Sequence, residues 1–201
     1  MATKNTLSSR RAVVAGLVSL IASSIASARE SLGAGVPPPL QTAGAQFVEL
    51  WPAIEPPPLE LERIDGKFAD LNMFRGKAVL MSFWATWCPT CRRELPLLER
   101  LQEIVDPRLL EIVAVSIDKG GRPAVEAFLK RGNVTRLRPY LDPQAKIAKH
   151  VKEDAASPFV LYGMPISYVI DHRGRIAGYF TGETDWTAGE GLALLRYYSG
   201  S

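Results

Sequence analysis

Both cysteines of this 201-residue chain lie in one short stretch, residues 83–96, with the sequence FWATWCPTCRRELP. An apolar run precedes the first cysteine, and an amphipathic pattern with apolar residues three and four apart follows it. This pattern predicts a strand that ends just before Cys88 and a helix that begins there. A Cys-x-x-Cys pair at such a junction restricts both the fold and the chemistry of the chain.

The first turn of the predicted helix favours an anion at Cys88. Backbone N–H groups at a helix N-terminus have no partner within the helix, and the helix dipole adds a positive potential there. In such a setting the pKa of a thiol falls from about 8.5 to roughly 3.5–7. Pro89 suits the first turn, because it has no N–H group and its φ is already helical. We expect Cys88 to be the attacking thiolate and Cys91 to resolve a mixed disulfide.

A zinc site and a structural disulfide are the two other uses of such a pair. Zinc takes four ligands, and the two histidines of the chain, His150 and His172, are distant and not at finger-like spacing. A structural disulfide that closes so short a loop would stabilise the fold only weakly. The pattern therefore favours a redox-active pair, with no metal site.

Residues 1–28 have the features of a secretory signal. Arg10 and Arg11 precede an uncharged, mildly apolar run, residues 12–28, which ends in the small-x-small sequence Ala26-Ser27-Ala28. The adjacent arginines resemble a twin-arginine signal, and a general secretory signal is the alternative. The run is short for a membrane span, and an uncleaved N-terminal anchor is the alternative to cleavage. Both alternatives predict export, so we expect the chain in the periplasm, free or anchored to the inner membrane.

The charge of the chain depends on this signal. Three of the 24 basic residues and none of the 21 acidic residues lie in residues 1–28, so the remainder is nearly neutral. The sequence therefore predicts no nucleic-acid partner. Residues 29–58 are rich in Pro, Gly and Ala and contain two runs of three prolines, which predicts a linker. The folded domain is expected over residues 59–201.

Strand and helix patterns alternate along this domain. A hairpin is predicted around Asp65-Gly66-Lys67, and residues 78–84 read as a strand buried on both faces. A second hairpin turns at residues 171–174, between strands at 166–170 and 175–180. Further strands are predicted at residues 109–117 and 139–141, and helices after Cys88 to about 105, at 124–131, at 144–151, and from about 185 or 187 to 198.

The order of these elements resembles that of the thioredoxin superfamily and, more narrowly, the extracytoplasmic TlpA/ResA/CcmG group. The resemblance rests on FWATWCPTC, on the acid Glu94 three residues after Cys91, and on Gly163-Met164-Pro165 followed by Val-Ile-Asp. It covers residues 59–201. It implies an α/β thioredoxin-like fold, with a central mixed sheet flanked by helices, an N-terminal β-hairpin and a strand-helix insertion.

The resemblance also implies roles for residues around the cysteines. Pro165 matches the cis-proline that faces the redox pair, and the backbone of Met164 would pair with an extended client segment. Glu94 would lie on the inward face of the helix, where burial raises the pKa of a carboxyl and lets it exchange a proton with Cys91.

Three residues next to the pair complete the predicted site. Trp87 and Pro89, on either side of Cys88, are expected to contact the client. Trp84 and Trp87 are expected to pack beside the pair and exclude water, although packing in the core would explain Trp84 equally well.

The function implied is that of a periplasmic thiol-disulfide oxidoreductase that reduces disulfides in specific clients, with electrons from a membrane thiol-disulfide donor. Its clients would serve cytochrome c maturation or copper-site assembly. Members with Cys-Pro-Thr-Cys that serve cytochrome biogenesis carry an acid just after the cis-proline, whereas this chain has Ile166-Ser167. No cofactor is expected beyond a redox-active Cys88–Cys91 disulfide.

The sequence leaves two alternative functions open. Within the same class, the chain could be a thiol oxidase or an accessory thioredoxin of sulfur oxidation. In another class, it could be a metallochaperone that holds Cu(I) on both thiolates, because soft ligands suit that ion.

Overall fold

The computed structural model describes residues 35–154 and 157–200, and the predicted signal at residues 1–28 lies outside them. Three α-helices are present in this part of the chain: α1 (Pro89–Ile104), α2 (Gly121–Gly132) and α3 (Gly189–Ser199). A short 3₁₀ helix spans Leu71–Phe74. The strands are β1 (Val48–Ile54), β2 (Glu60–Arg63), β3 (Phe68–Asp70), β4 (Ala78–Trp84), β5 (Leu110–Ser116), β6 (Tyr140–Leu141), β7 (Lys149–His150), β8 (Val160–Leu161), β9 (Ile166–Ile170) and β10 (Ile176–Thr181).

Eight of these strands form one mixed sheet in the order β1-β10-β9-β4-β5-β6-β2-β3. The central strands β4, β5 and β6 run parallel, while the hairpins β2–β3 and β9–β10 are antiparallel. Strands β7 and β8 form a separate parallel pair. The fold is therefore the predicted thioredoxin-like α/β arrangement, and both predicted hairpins are confirmed.

The central strand β4 separates two hydrophobic clusters. All seven of its residues are buried, as the apolar run predicted. Leu80 and Trp84 belong to a cluster that includes buried apolar residues of all three helices. Met81 and Phe83 belong to a second cluster. Because successive side chains of a strand point to opposite faces, each cluster lies on one face of the sheet.

The predicted helix at residues 144–151 is absent. The carboxylate of Asp142 instead accepts hydrogen bonds from the backbone N–H groups of Lys146, Ile147 and Ala148, at 2.7, 3.0 and 3.0 Å. Ala145 has a positive φ of 50°, which is outside the right-handed helical region. These bonds hold the segment as a loop, which continues into β7.

The predicted linker at residues 29–58 contains a strand. Its residues 48–54 form β1, an edge strand that pairs antiparallel with β10. A Cβ atom at Gly178 would collide with the backbone of Val48 and the ring of Phe47, so the glycine allows this close approach. The folded unit therefore begins before Leu59, the expected start of the domain.

None of the helices in the described ranges, 35–154 and 157–200, has the length and apolar character that a bilayer span requires.

Candidate active site

Four chain segments leave the sheet at one edge. Strands β4 and β5 both end there, at Trp84 and its pairing partner Ser116. The antiparallel strand β9 begins there, because Ile166 pairs with Phe83. Strand β10 ends there, because Thr181 pairs with Ile166. The segments that follow Trp84, Ser116 and Thr181, and the one that precedes Ile166, therefore meet at the same place.

The cysteine pair lies at this edge, at the start of α1. Cys88 is the N-cap residue, Pro89 occupies the first helical turn, and a disulfide joins Cys88 to Cys91. The backbone N–H of Cys91 donates a hydrogen bond to Cys88 Sγ over 3.2 Å. Both residues are buried, Cys88 to 4% exposure and Cys91 to 1%. An N–H group aimed at Cys88 would also stabilise a thiolate at that sulfur after reduction.

The Met164–Pro165 peptide bond, which is cis, lies against this helix start. The hydroxyl of Thr90, inside the Cys-x-x-Cys motif, lies 3.3 Å from the carbonyl oxygen of Met164. This contact joins residues 74 positions apart and brings the main chain of Met164 to the cysteine pair. Pro165 itself is buried.

Glu94 lies one helical turn after Cys91 on the buried face of α1, with 1% of its surface exposed. Burial raises the pKa of its carboxyl to about 8, and the negative charge of Glu183 acts in the same direction. The backbone N–H of Thr184 donates to Glu94 Oε1 over 3.3 Å and partly opposes the rise. A carboxyl with this pKa can hold or release a proton near neutral pH.

The two tryptophans of the motif differ in burial. Trp84 is 1% exposed and packs on the ring of Phe128, with ring centroids 5.7 Å apart. Trp87 is 60% exposed. The expectation that Trp87 packs beside the pair and excludes water is therefore wrong, and only Trp84 is part of the core. Trp87 and Pro89 are both exposed beside Cys88, where another protein could contact them.

The buried carboxylate of Asp118 supports the loop before the cysteines, a role that the sequence pattern did not predict. It accepts hydrogen bonds from the backbone N–H and the hydroxyl of Thr86, at 2.9 and 2.6 Å. It also accepts one from the hydroxyl of Ser116, at 2.8 Å. The available signal was a Ser-x-Asp sequence at the end of a buried strand, where polar side chains commonly serve a site at the sheet edge.

The segment after β10 contacts both Pro165 and Glu94. The backbone N–H of Gly182 donates to the carbonyl of Pro165 over 2.8 Å. The carboxylate of Glu183 forms an ion pair with Arg93, at 2.6 Å, and Thr184 donates to Glu94. Three consecutive residues thus hold the proline segment against α1.

In residues 35–154 and 157–200, no group of three or more His, Cys, Asp or Glu side chains is arranged to hold a metal ion.

Comparisons with known proteins agree with this geometry. The family model described as Redoxin matches residues 49–193. The thiol-disulfide oxidoreductase ResA of Geobacillus thermodenitrificans is 29% identical over 128 residues, which cover 63% of this chain and 67% of that protein. The thioredoxin-like protein YneN of Bacillus subtilis is 29% identical over 138 residues, 68% of this chain and 75% of YneN.

A solved structure shows the same fold. The thiol:disulfide interchange protein of the thioredoxin family from Chlorobium tepidum TLS superposes with a TM-score of 0.58 at 23% identity. The superposition covers 74% of this chain and 97% of that one.

Proposed function

This chain belongs to the Redoxin family and is a thiol-disulfide oxidoreductase, and we propose that it reduces selected disulfides of client proteins outside the cytoplasm. The observation that carries the proposal is the Cys88–Cys91 pair at the start of α1, next to the main chain of Met164. An extended client segment would lie along Met164 and Pro165, with Trp87 and Pro89 at its sides. The pair would serve as the redox centre without a further cofactor.

The proposed reaction transfers two electrons from the reduced pair to a client disulfide. The thiolate of Cys88 attacks one client sulfur, the client S–S bond breaks, and the other client sulfur leaves as a thiolate. The thiol of Cys91 gives its proton to the carboxylate of Glu94 and attacks the sulfur of Cys88. The second client thiolate then leaves and takes up a proton, and a Cys88–Cys91 disulfide remains. A membrane thiol-disulfide donor would return two electrons to this disulfide.

The reduction potential of the full chain tests the direction of electron flow. We would equilibrate the protein with dithiothreitol or glutathione and count the free thiols by mass. A potential below about −220 mV would support a reductase, whereas one near −120 mV would overturn this direction and favour the thiol oxidase.

Two serine variants test the roles assigned to the two cysteines. With a peptide disulfide as substrate, Cys91→Ser should accumulate a mixed disulfide with the peptide, because nothing resolves it. Cys88→Ser should form none. If Cys88→Ser formed a mixed disulfide through Cys91 as fast as Cys91→Ser forms one through Cys88, the assignment of Cys88 as the attacking residue would be contradicted.

The proposed clients are cysteine pairs that later receive haem or copper, as the resemblance implies. Ile166-Ser167 in place of an acid after Pro165 argues against the haem clients. We would compare reduction rates of an oxidised Cys-x-x-Cys-His peptide, the haem-attachment sequence, and of the same peptide with its histidine moved. Equal rates would reject recognition of the haem-attachment sequence.

The proposed location is the periplasm, and it rests on residues 1–28. Replacing Arg10 and Arg11 by lysine should block export if the signal is of the twin-arginine type. Fractionation of wild-type cells would separate a cleaved, released protein from an anchored one. Wild-type protein found only in the cytoplasm would overturn this location.

A further inference from the structure

Thr90 lies between the attacking sulfur and the main chain of Met164. Its side-chain oxygen is 3.3 Å from Cys88 Sγ and 3.3 Å from the carbonyl oxygen of Met164. In the disulfide form Cys88 carries no proton, so the hydrogen in either contact must come from the Thr90 hydroxyl. A hydroxyl has one hydrogen and can donate it to only one acceptor at a time.

The preferred acceptor depends on the redox state of the pair. A disulfide sulfur is a weak acceptor compared with a peptide carbonyl, so in the disulfide form the hydroxyl donates to Met164. Reduction gives Cys88 the thiolate expected at a helix N-terminus, and hydrogen bonds to a charged acceptor are roughly twice as strong as those between neutral groups. The hydroxyl then donates to Cys88, and the carbonyl of Met164 loses this donor.

A carbonyl that loses its donor takes another one, from water or from a second chain. Met164 is partly exposed and lies just before strand β9. The exposed Trp87 and Pro89 lie at the same edge. An extended segment of a client protein carries backbone N–H groups that suit this carbonyl.

We propose that Thr90 couples client binding to the redox state, because its hydroxyl occupies the Met164 carbonyl in the disulfide form and releases it to the client backbone in the thiolate form. This inference rests on the proposed function, since it places the client along the main chain of Met164. Its consequence is directional: the reduced protein binds the client more tightly than the oxidised protein does, which favours release after the reaction.

Two matched variants test the proposal in the full chain. Thr90→Val keeps the shape of the side chain but has no hydroxyl, whereas Thr90→Ser keeps the hydroxyl. The probe is a short unstructured peptide with serine at its centre, titrated by NMR against the oxidised and the reduced protein at neutral pH. A copy of the peptide with N-methylated backbone amides serves as the control that cannot donate.

We expect the wild-type protein to bind the unmethylated peptide about fivefold more tightly when reduced, which is the net contribution of one hydrogen bond between neutral groups. Thr90→Ser should keep this ratio. Thr90→Val should bind the peptide equally in both redox states, and the N-methylated peptide should show no redox preference with any variant. The ultraviolet absorbance of the thiolate should also fall in reduced Thr90→Val and persist in Thr90→Ser.

Several outcomes would overturn the proposal. These are equal affinity of both wild-type states, a redox preference that survives Thr90→Val, or no binding of the peptide to the reduced protein. The reductase function is assessed separately, by turnover of a peptide disulfide. Turnover without a redox preference in binding would refute the role of Thr90 alone, whereas no turnover by the wild-type protein would refute the proposed function.

Discussion

Two buried carboxyl groups, in Glu94 and Asp142, illustrate how differently one molecule uses the same chemistry at two positions. Their residues are 1% and 3% exposed, so burial does not distinguish them. Asp142 accepts three backbone hydrogen bonds, from the N–H groups of Lys146, Ile147 and Ala148, at 3.0 Å or less. Glu94 accepts one backbone hydrogen bond, from Thr184, at 3.3 Å, and the side chain of Trp186 also lowers its pKa.

The difference shows that hydrogen-bond donors decide the use of a buried carboxyl. At Asp142 three donors compensate the charge, and the group determines the path of the chain between β6 and β7. At Glu94 the donors are too few, so burial raises the pKa of the group to about 8. Asp142 has a structural role and Glu94 can exchange protons, although both carboxyl groups are buried.

The largest expected effect concerns proton transfer at Glu94. In Glu94→Gln the attack of Cys91 on the mixed disulfide should slow about a hundredfold, because the amide cannot take the thiol proton. The rate in the wild-type protein should rise with pH to a midpoint near 8, which is the pKa of Glu94. Stopped-flow measurement of client-thiol release would follow this step. The same pH dependence in the variant would exclude Glu94 as the proton acceptor.

The next effect concerns stability at Asp142. Asp142→Ala should lower the free energy of unfolding by about 2 kcal/mol, because backbone N–H groups lose their acceptor. Turnover per folded molecule should stay at the wild-type value. Urea unfolding and a turnover assay measure the two quantities, and Asp142→Asn, which keeps one acceptor oxygen, should recover part of the loss. A loss of turnover without a loss of stability would contradict a structural role.

A smaller effect, when expressed per pH unit, is the pH dependence of stability. The unfolded chain loses the Glu94 proton above its ordinary pKa of 4.5, whereas the folded chain keeps it up to about 8. Unfolding therefore releases this proton between those values, and the contribution of Glu94 to stability falls as pH rises, by at most roughly 1.4 kcal/mol per pH unit. Urea unfolding of the oxidised protein at several pH values should show a slope that Glu94→Gln lacks. Parallel curves would refute the raised pKa.

The smallest effect is expected at the ion pair of Arg93 and Glu183, whose side chains are partly exposed. Arg93→Gln should leave the midpoint of urea unfolding unchanged, because exposed ion pairs contribute little to stability. It should move the pH midpoint of the resolving step upwards, because the charge of Glu183 then opposes ionisation of Glu94 without compensation. A midpoint that moves downwards would show that Arg93 acts on Glu94 in another way.

The sequence by itself determined the elements that depend on local pattern. The buried run of β4, the start of α1 at Cys88, the two hairpins and the inward position of Glu94 follow from periodicity, turn residues and helix geometry. These features need only neighbours within a few residues along the chain.

The tertiary structure decided the contacts between residues that are distant in the sequence. The contact of Thr90 with Met164, the support of Thr86 by Asp118, and the donation from Thr184 to Glu94 join residues 74, 32 and 90 positions apart. No local pattern encodes such pairs, because the order and direction of the strands bring them to one edge.

The same reason explains the two errors of the sequence analysis within the fold. The helix expected at residues 144–151 had a suitable local pattern, but hydrogen bonds from its backbone to Asp142 replaced it. The proline-rich segment around residues 48–54 had a poor strand pattern, but the free edge of β10 and the absence of a side chain at Gly178 gave it a partner. Local propensity is a weak preference, and a strong tertiary partner overrides it.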